Sequence, residues 1–345
     1  MQAPGSPLSR GSIQKESVAS KAASGWPRCD IHRLRSARNP LPNNWFKLLA
    51  SLPRDCVPQP LNQTLGTSGK LMPSFIDIVR RKRNDLSELE VFAGVCERAL
   101  SQATKAVESI DLQHRIATAL NEPPPYESVS ELEQAKARAQ KIAQFAEAQN
   151  ANGSPYLFSL CSVRLWALME ALVDELVVES LQNPQECPDQ PILAKLKGPL
   201  IEFKLAPPDE QAEFLAETLK QAVDASLKLG VGRFEVLLAP LGFSGEVHST
   251  IRKALHELSQ VRNIIVHKSG RADRRIIDAC PWLSLKRGET IHVTAEMFGR
   301  YLKATYWYIV EMRGRIDERS GQQRSKEVKH ALSMLEQLLD PKPEE

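Results

Sequence analysis

The sequence is poor in aromatic residues, at 6%, and lacks long apolar runs. No window approaches the roughly 18 consecutive apolar residues of a membrane-spanning helix, so no transmembrane helix is expected. The six cysteines are Cys29, Cys56, Cys96, Cys161, Cys187 and Cys280. None forms a Cys-x-x-Cys pair, and no Cys/His group has zinc-finger spacing, so no metal site is expected. Scattered cysteines without a signal-peptide pattern predict free thiols in a reducing compartment, the cytoplasm. The P-loop, the Gly-x-Ser-x-Gly elbow, His-Glu-x-x-His and Gly-x-Gly-x-x-Gly are all absent. These absences argue against P-loop nucleotide hydrolases, serine hydrolases and zincins, and no cofactor is expected.

What is present is 42% hydrophobic and 25% charged, over 345 residues with a net charge of +3. That composition suits a globular chain with a core of normal size. The charge is unevenly placed. Residues 1–71 hold ten Lys and Arg against three Asp and Glu, and the remainder nets −4. The first 71 residues also carry eight of the 23 prolines and have no helical period. They read as a disordered basic tail rich in Pro and Ser. A nucleic-acid arm, a transit peptide and an artefact of start-site choice all fit this tail, since Met72-Pro73-Ser74-Phe75 begins a plausible shorter chain.

The rest predicts an all-α fold. From Asp85, the residues Leu89, Phe92, Cys96, Ala99, Ala103, Ala106 and Ile110 recur at helical steps, ending near Asn121 before three prolines. A capping box, Ser128 with Glu131, starts a second helix to about Gln149. Residues 156–181 are apolar on most faces, as in a central helix, and Glu170 sits within them, flanked by Met169 and Ala171. Shorter helices are expected at 190–203 and 209–228. A longer one runs over 246–267, closed by Ser269-Gly270. Alternating residues in 282–294 predict a β-hairpin, and helices over 295–317 and 323–339 finish the chain. The expected organisation is a tail (1–71), an N-terminal helical region (72–155), a helical domain (156–320) and a C-terminal helix with tail (321–345).

The chemistry concentrates in Glu257–His267. On a helix, Ala254, Leu258, Val261 and Ile265 share a core face, while His256, Gln260, Asn263 and His267 form a polar stripe opposite. Arg262 lies between the two. These residue types suit phosphodiester chemistry without a metal. A histidine moves a proton near neutral pH, an arginine grips a phosphate, and an asparagine holds a base or a ribose hydroxyl. Arg-x4–6-His spacing also occurs at Arg287/His292 and Arg324/His330. Only Arg262/His267 combines it with an amphipathic helix end, an Asn after the Arg and a Glu five residues before it.

Arg262-Asn263-Ile264-Ile265-Val266-His267, with the following Lys268-Ser269-Gly270-Arg271-Ala272-Asp273, resembles the HEPN superfamily (higher eukaryote and prokaryote nucleotide-binding). The RiboL-PSP-type branch looks closest. Three further features carry that likeness: the helix with Leu165-Trp166-Ala167-Leu168-Met169-Glu170, the hairpin-like insert, and the helix containing Tyr301-Leu302-Lys303-Ala304-Thr305-Tyr306. The resemblance covers about 156–318. It implies a helical bundle that homodimerises and a metal-independent endoribonuclease leaving a 2′,3′-cyclic phosphate. By carry-over, His267 handles the proton, Arg262 holds the scissile phosphate and Asn263 supports them, with Glu257 and Glu170 orienting Arg or His. The family also holds inactive binding modules, and many members act in toxin–antitoxin or defence systems. The implied partners are an RNA substrate, a second copy, and an antitoxin or other protein, with no membrane.

Overall fold

The computed structural model describes residues 72–339, apart from 124, 224 and 226–228. The expected N-terminal tail and the last six residues lie outside the described residues, as do Cys29 and Cys56. The described chain is mostly α-helical, with almost no strand.

The first expected helix is two, α1 (Met72–Ala103) and α2 (Ala106–Ala119). Helix α1 starts earlier than its clean periodicity because Phe75, Ile78, Val79, Leu86 and Leu89 already form a buried stripe. Its four consecutive cations are accommodated there. Arg80 pairs with Asp77 at 2.7 Å, Arg81 with Glu175 at 3.0 Å, Lys82 with the same Glu175 carboxylate, and Arg83 lies over the Tyr306 ring. The break between α1 and α2 sits at Thr104, whose hydroxyl donates to the Ser101 carbonyl at 2.9 Å. Such local bonding competes with continued helix. Helix α3 (Val129–Ala151) opens as its capping pattern predicts: Ser128 Oγ accepts from the Glu131 N–H at 3.2 Å.

Helix α4 (Pro155–Leu181) is the centre of the bundle, with α1 packed against it. Its Leu165, Met169, Leu172, Val173, Leu176 and Val177 are fully buried. It is the one helix among the described residues long and apolar enough to cross a membrane, and over half of that stretch is buried inside the bundle. The expected 190–203 helix is two short pieces, α5 (Gln190–Leu193) and α6 (Leu200–Leu205), with Gly198-Pro199 between them. Proline cannot continue a helix from its preceding turn. Helices α7 (Pro208–Ala222) and α8 (Gly232–Leu238) follow, and both lie against α4. Then come α9 (Ser249–Lys268), α10 (Arg274–Ala279), α11 (Ala295–Arg319) and α12 (Lys326–Leu339). Helices α9 and α11 pack on α4 and on each other, and α12 lies along α11.

The β-hairpin expected at 282–294 is not formed. Pro281–Leu283 is a 3₁₀ turn, and the segment makes a single isolated bridge, Arg271 to Thr290, instead of pairing with itself. Three backbone bonds tie it to the end of the α9 connection: Ala272 N–H to Glu289 O, Gly288 N–H to Ala272 O, and Ile291 N–H to Gly270 O, each 2.8 Å. Its alternation has a different cause. Ile291 and Val293 point into the helical core, and Trp282 reaches back to α9.

Contacts cross both expected domain boundaries. Phe75 of α1 meets Phe243 with ring centres 5.2 Å apart. At the other end, Trp307 Nε1 donates to Glu336 at 2.8 Å. Buried charge joins the same region. Arg315, 3% exposed, holds Glu311 at 2.9 Å and Glu235 at 2.8 Å. Arg324 closes on Glu311 from the other side at 2.6 Å.

Candidate functional site

Helix α9 carries the motif and is buried on most sides. Ile251, Ala254, Leu255, Leu258, Val261 and Ile264 are in the core, and so are Glu257, Ser259 and Gln260. Of the polar stripe, Gln260 is buried, His256 and Asn263 are half-buried, and His267 is exposed. The helix ends at Ser269 and Gly270, both with positive φ (51° and 75°). The Gly270 N–H returns to the Ile264 carbonyl at 3.1 Å, closing the last turn.

Arg262 faces α4. Its Nη2 lies 3.5 Å from Glu170 Oε2, and Nη1 donates to Asn263 Oδ1 at 3.2 Å. Its Nε is shut off from solvent and has no hydrogen-bond partner. An unmet donor of this kind costs about 1–3 kcal/mol. Glu170 is shared with a second cation, since Arg233 Nη1 of α8 sits 3.3 Å from its other oxygen. Arg262 and Glu170 side chains are each 25% exposed, so the triad is reachable at its rim. Two guanidinium groups around one carboxylate leave one net positive charge.

His267 is exposed in the last turn of α9, and no side-chain hydrogen bond or ion pair reaches it among the described residues. It lies five positions beyond Arg262, which is about 140° around the helix and about 7.5 Å along it. The structure thus brings Arg262, Asn263 and Glu170 together and leaves His267 on a different side of the same helix.

Glu257 is also elsewhere. It is 2% exposed and receives three donors: Trp282 Nε1 at 2.5 Å, Tyr301 Oη at 2.6 Å, and Arg300. It touches neither Arg262 nor His267, the residues it was expected to orient; it ties α9 to α11 and to the 3₁₀ turn. Burial, then the Glu257 charge, pushes the Tyr301 phenol well above its ordinary range and the Cys280 thiol up to about 12. His256 spans to the Ala279 carbonyl at 3.3 Å, and Gln260 Nε2 donates to Ser259 Oγ at 3.3 Å. Both serve local packing.

Sequence reasoning missed Arg233. It lies on a seven-residue helix behind a glycine-rich turn, with no periodic pattern to single it out. Among the described residues, no group of three or more His, Cys, Asp or Glu is placed to hold a metal ion. Comparison with protein-family models, with curated proteins and with solved structures finds no match to this chain.

Proposed function

We propose that this chain is a metal-independent endoribonuclease of the HEPN type, acting as a homodimer. One observation carries the reading. A loosely held, partly buried arginine and an exposed histidine share one helix, with Asn263 beside the arginine. Among the described residues the Arg262 guanidinium is engaged only by a 3.5 Å ion pair and one neighbouring amide, so a phosphodiester oxygen competes well for it. His267 is exposed at the helix C-terminus, where a substrate strand can reach its imidazole.

The reaction needs one base, one acid and an anion clamp. One imidazole takes the proton of the ribose 2′-hydroxyl. The 2′-oxygen bonds to phosphorus, the bond to the 5′-oxygen breaks, and that oxygen takes a proton from a second, protonated imidazole. The products are a 2′,3′-cyclic phosphate and a 5′-hydroxyl. A single chain supplies one motif histidine, and its arginine points away from it. Two copies would supply two of each, which is why the dimer belongs to the proposal. A toxin or defence role in the cytoplasm, with an antitoxin or other protein partner, fits such an enzyme.

A second reading is a binding module without catalysis. The divergence of Arg262 from His267 favours it, because one chain alone does not assemble the reacting groups. Full-length protein incubated with cellular RNA in EDTA separates the two. Cleavage ending in cyclic phosphate, lost in both Arg262→Ala and His267→Ala, is the result expected of the enzyme. Folded, dimeric protein that leaves every RNA intact refutes it.

A further inference from the structure

The insert that was expected to be a hairpin lies instead against the chain just after the motif helix. Its three backbone bonds to 270–272 and the Arg271–Thr290 bridge make one two-armed platform of 267–275 and 286–292. The arms carry Lys268, Arg271, Arg274, Arg275, Lys286 and Arg287, all exposed. They carry only two carboxylates, and each already accepts a backbone N–H: Asp273 from Ile276 at 3.1 Å and Glu289 from Lys286 at 2.8 Å. Of the six cations, Arg274 alone has an ion pair among the described residues, with exposed Asp278 at 3.4 Å. Residues 72–345 are net acidic, so this platform stands out as a local positive field.

We propose that the platform binds the phosphate backbone of single-stranded RNA, guiding the strand to the motif helix. This deepens the ribonuclease reading and rests on it for the choice of RNA. Two observations favour a polyanion over a folded protein partner. Four of the six cations are arginines, whose planar guanidinium matches phosphate oxygens two at a time. The arms also expose no large apolar side chain, the kind of anchor that stable protein interfaces need. His267 begins the first arm, so a strand lying on the platform passes the proton-transfer group directly.

The test is binding, kept apart from cleavage. Full-length His267→Ala protein is titrated with a fluorescein-labelled 20-nucleotide oligouridylate from 50 to 300 mM KCl in EDTA, read by anisotropy. The quadruple variant Arg274→Gln, Arg275→Gln, Lys286→Gln, Arg287→Gln is measured in the same background. Each phosphate contact contributes about 0.7 to the slope of log affinity on log salt for a single strand. The quadruple variant is therefore expected to lower the slope's magnitude by about 3. A control with the same charge change on the remote α2–α3 face uses Lys105→Gln, Arg115→Gln, Arg138→Gln and Lys141→Gln, and should leave the slope unchanged. Equal loss in both variants, or no binding of the RNA, overturns the proposal. So does binding of poly-glutamate, measured by competition in the same assay, as tight as RNA binding and lost in the same quadruple variant. Salt-dependent binding through the platform without cleavage by the wild type sinks the ribonuclease reading and leaves the platform standing. Cleavage by the wild type with an unchanged slope does the reverse.

Discussion

Replacing Glu257 tests whether this carboxylate is structural, as its geometry shows. Glu257→Leu removes one acceptor that three donors share. The donors do not suffer equally. Tyr301 is wholly buried, so its hydroxyl loses its partner with no water to replace it, at about 1–3 kcal/mol. Trp282 is 40% exposed and can turn its N–H to solvent at little cost. Arg300 is 33% exposed and stays hydrated, so its loss is a fraction of a buried pair's. The sum is about 2–4 kcal/mol. In urea, with a slope of about 3 kcal/mol/M for a chain of this size, the midpoint should fall by about 1 M at unchanged slope. Far-ultraviolet circular dichroism reads it. Tyr301→Phe alone should cost about 1 kcal/mol, and the double variant should cost less than the two singles added, because the orphaned hydroxyl is gone. A midpoint within 0.2 M of wild type for Glu257→Leu would refute the reasoning (about 0.6 kcal/mol on that slope).

Two more expectations follow from single side chains. Burial lifts the half-exposed Glu90 carboxyl from 4.5 to about 7, so its protonated form is favoured in the folded chain. Its contribution is fully present below pH 4.5 and is lost as pH rises through about 7. Glu90→Gln should match wild type at pH 4.5 and exceed it by about 1 kcal/mol at pH 8, discounted for solvent access; denaturation at both values checks it. For the proposed enzyme, Arg233→Gln should raise KM several-fold with little change in kcat, whereas Arg262→Gln should lower kcat by about 100-fold or more. Equal kinetics for Arg233→Gln and wild type would remove Arg233 from the anion-holding group.

The helices were legible where periodicity and punctuation agreed. Helix α4 is apolar all round and is the bundle's centre; α9 stops at Ser269-Gly270, as its sequence predicts. Alternation misled at 282–294 because an extended strap across helices alternates for the same reason a strand does: one side faces a core. The site was half legible. Arg262 and Asn263 sit together with Glu170, but nothing local in the sequence separates Glu170 from Glu257. Each is a single carboxylate within its own helical turn, and their partners come from distant segments. Glu257 is claimed by Trp282, Arg300 and Tyr301, and Arg233 arrives from a short helix with no pattern of its own.

The Glu311–Arg324 and Trp307–Glu336 bonds matter for anyone cutting the chain. A fragment of 156–320 would keep the whole motif helix, yet it would strip α12 from α11 and α1 from α4. That bares Phe243, Trp307 and one face of the central helix at once, and leaves Glu311 buried with half its cation complement. Such a fragment should be recovered as aggregate, so limited proteolysis is not expected to leave a lasting product bounded by either end of the motif domain.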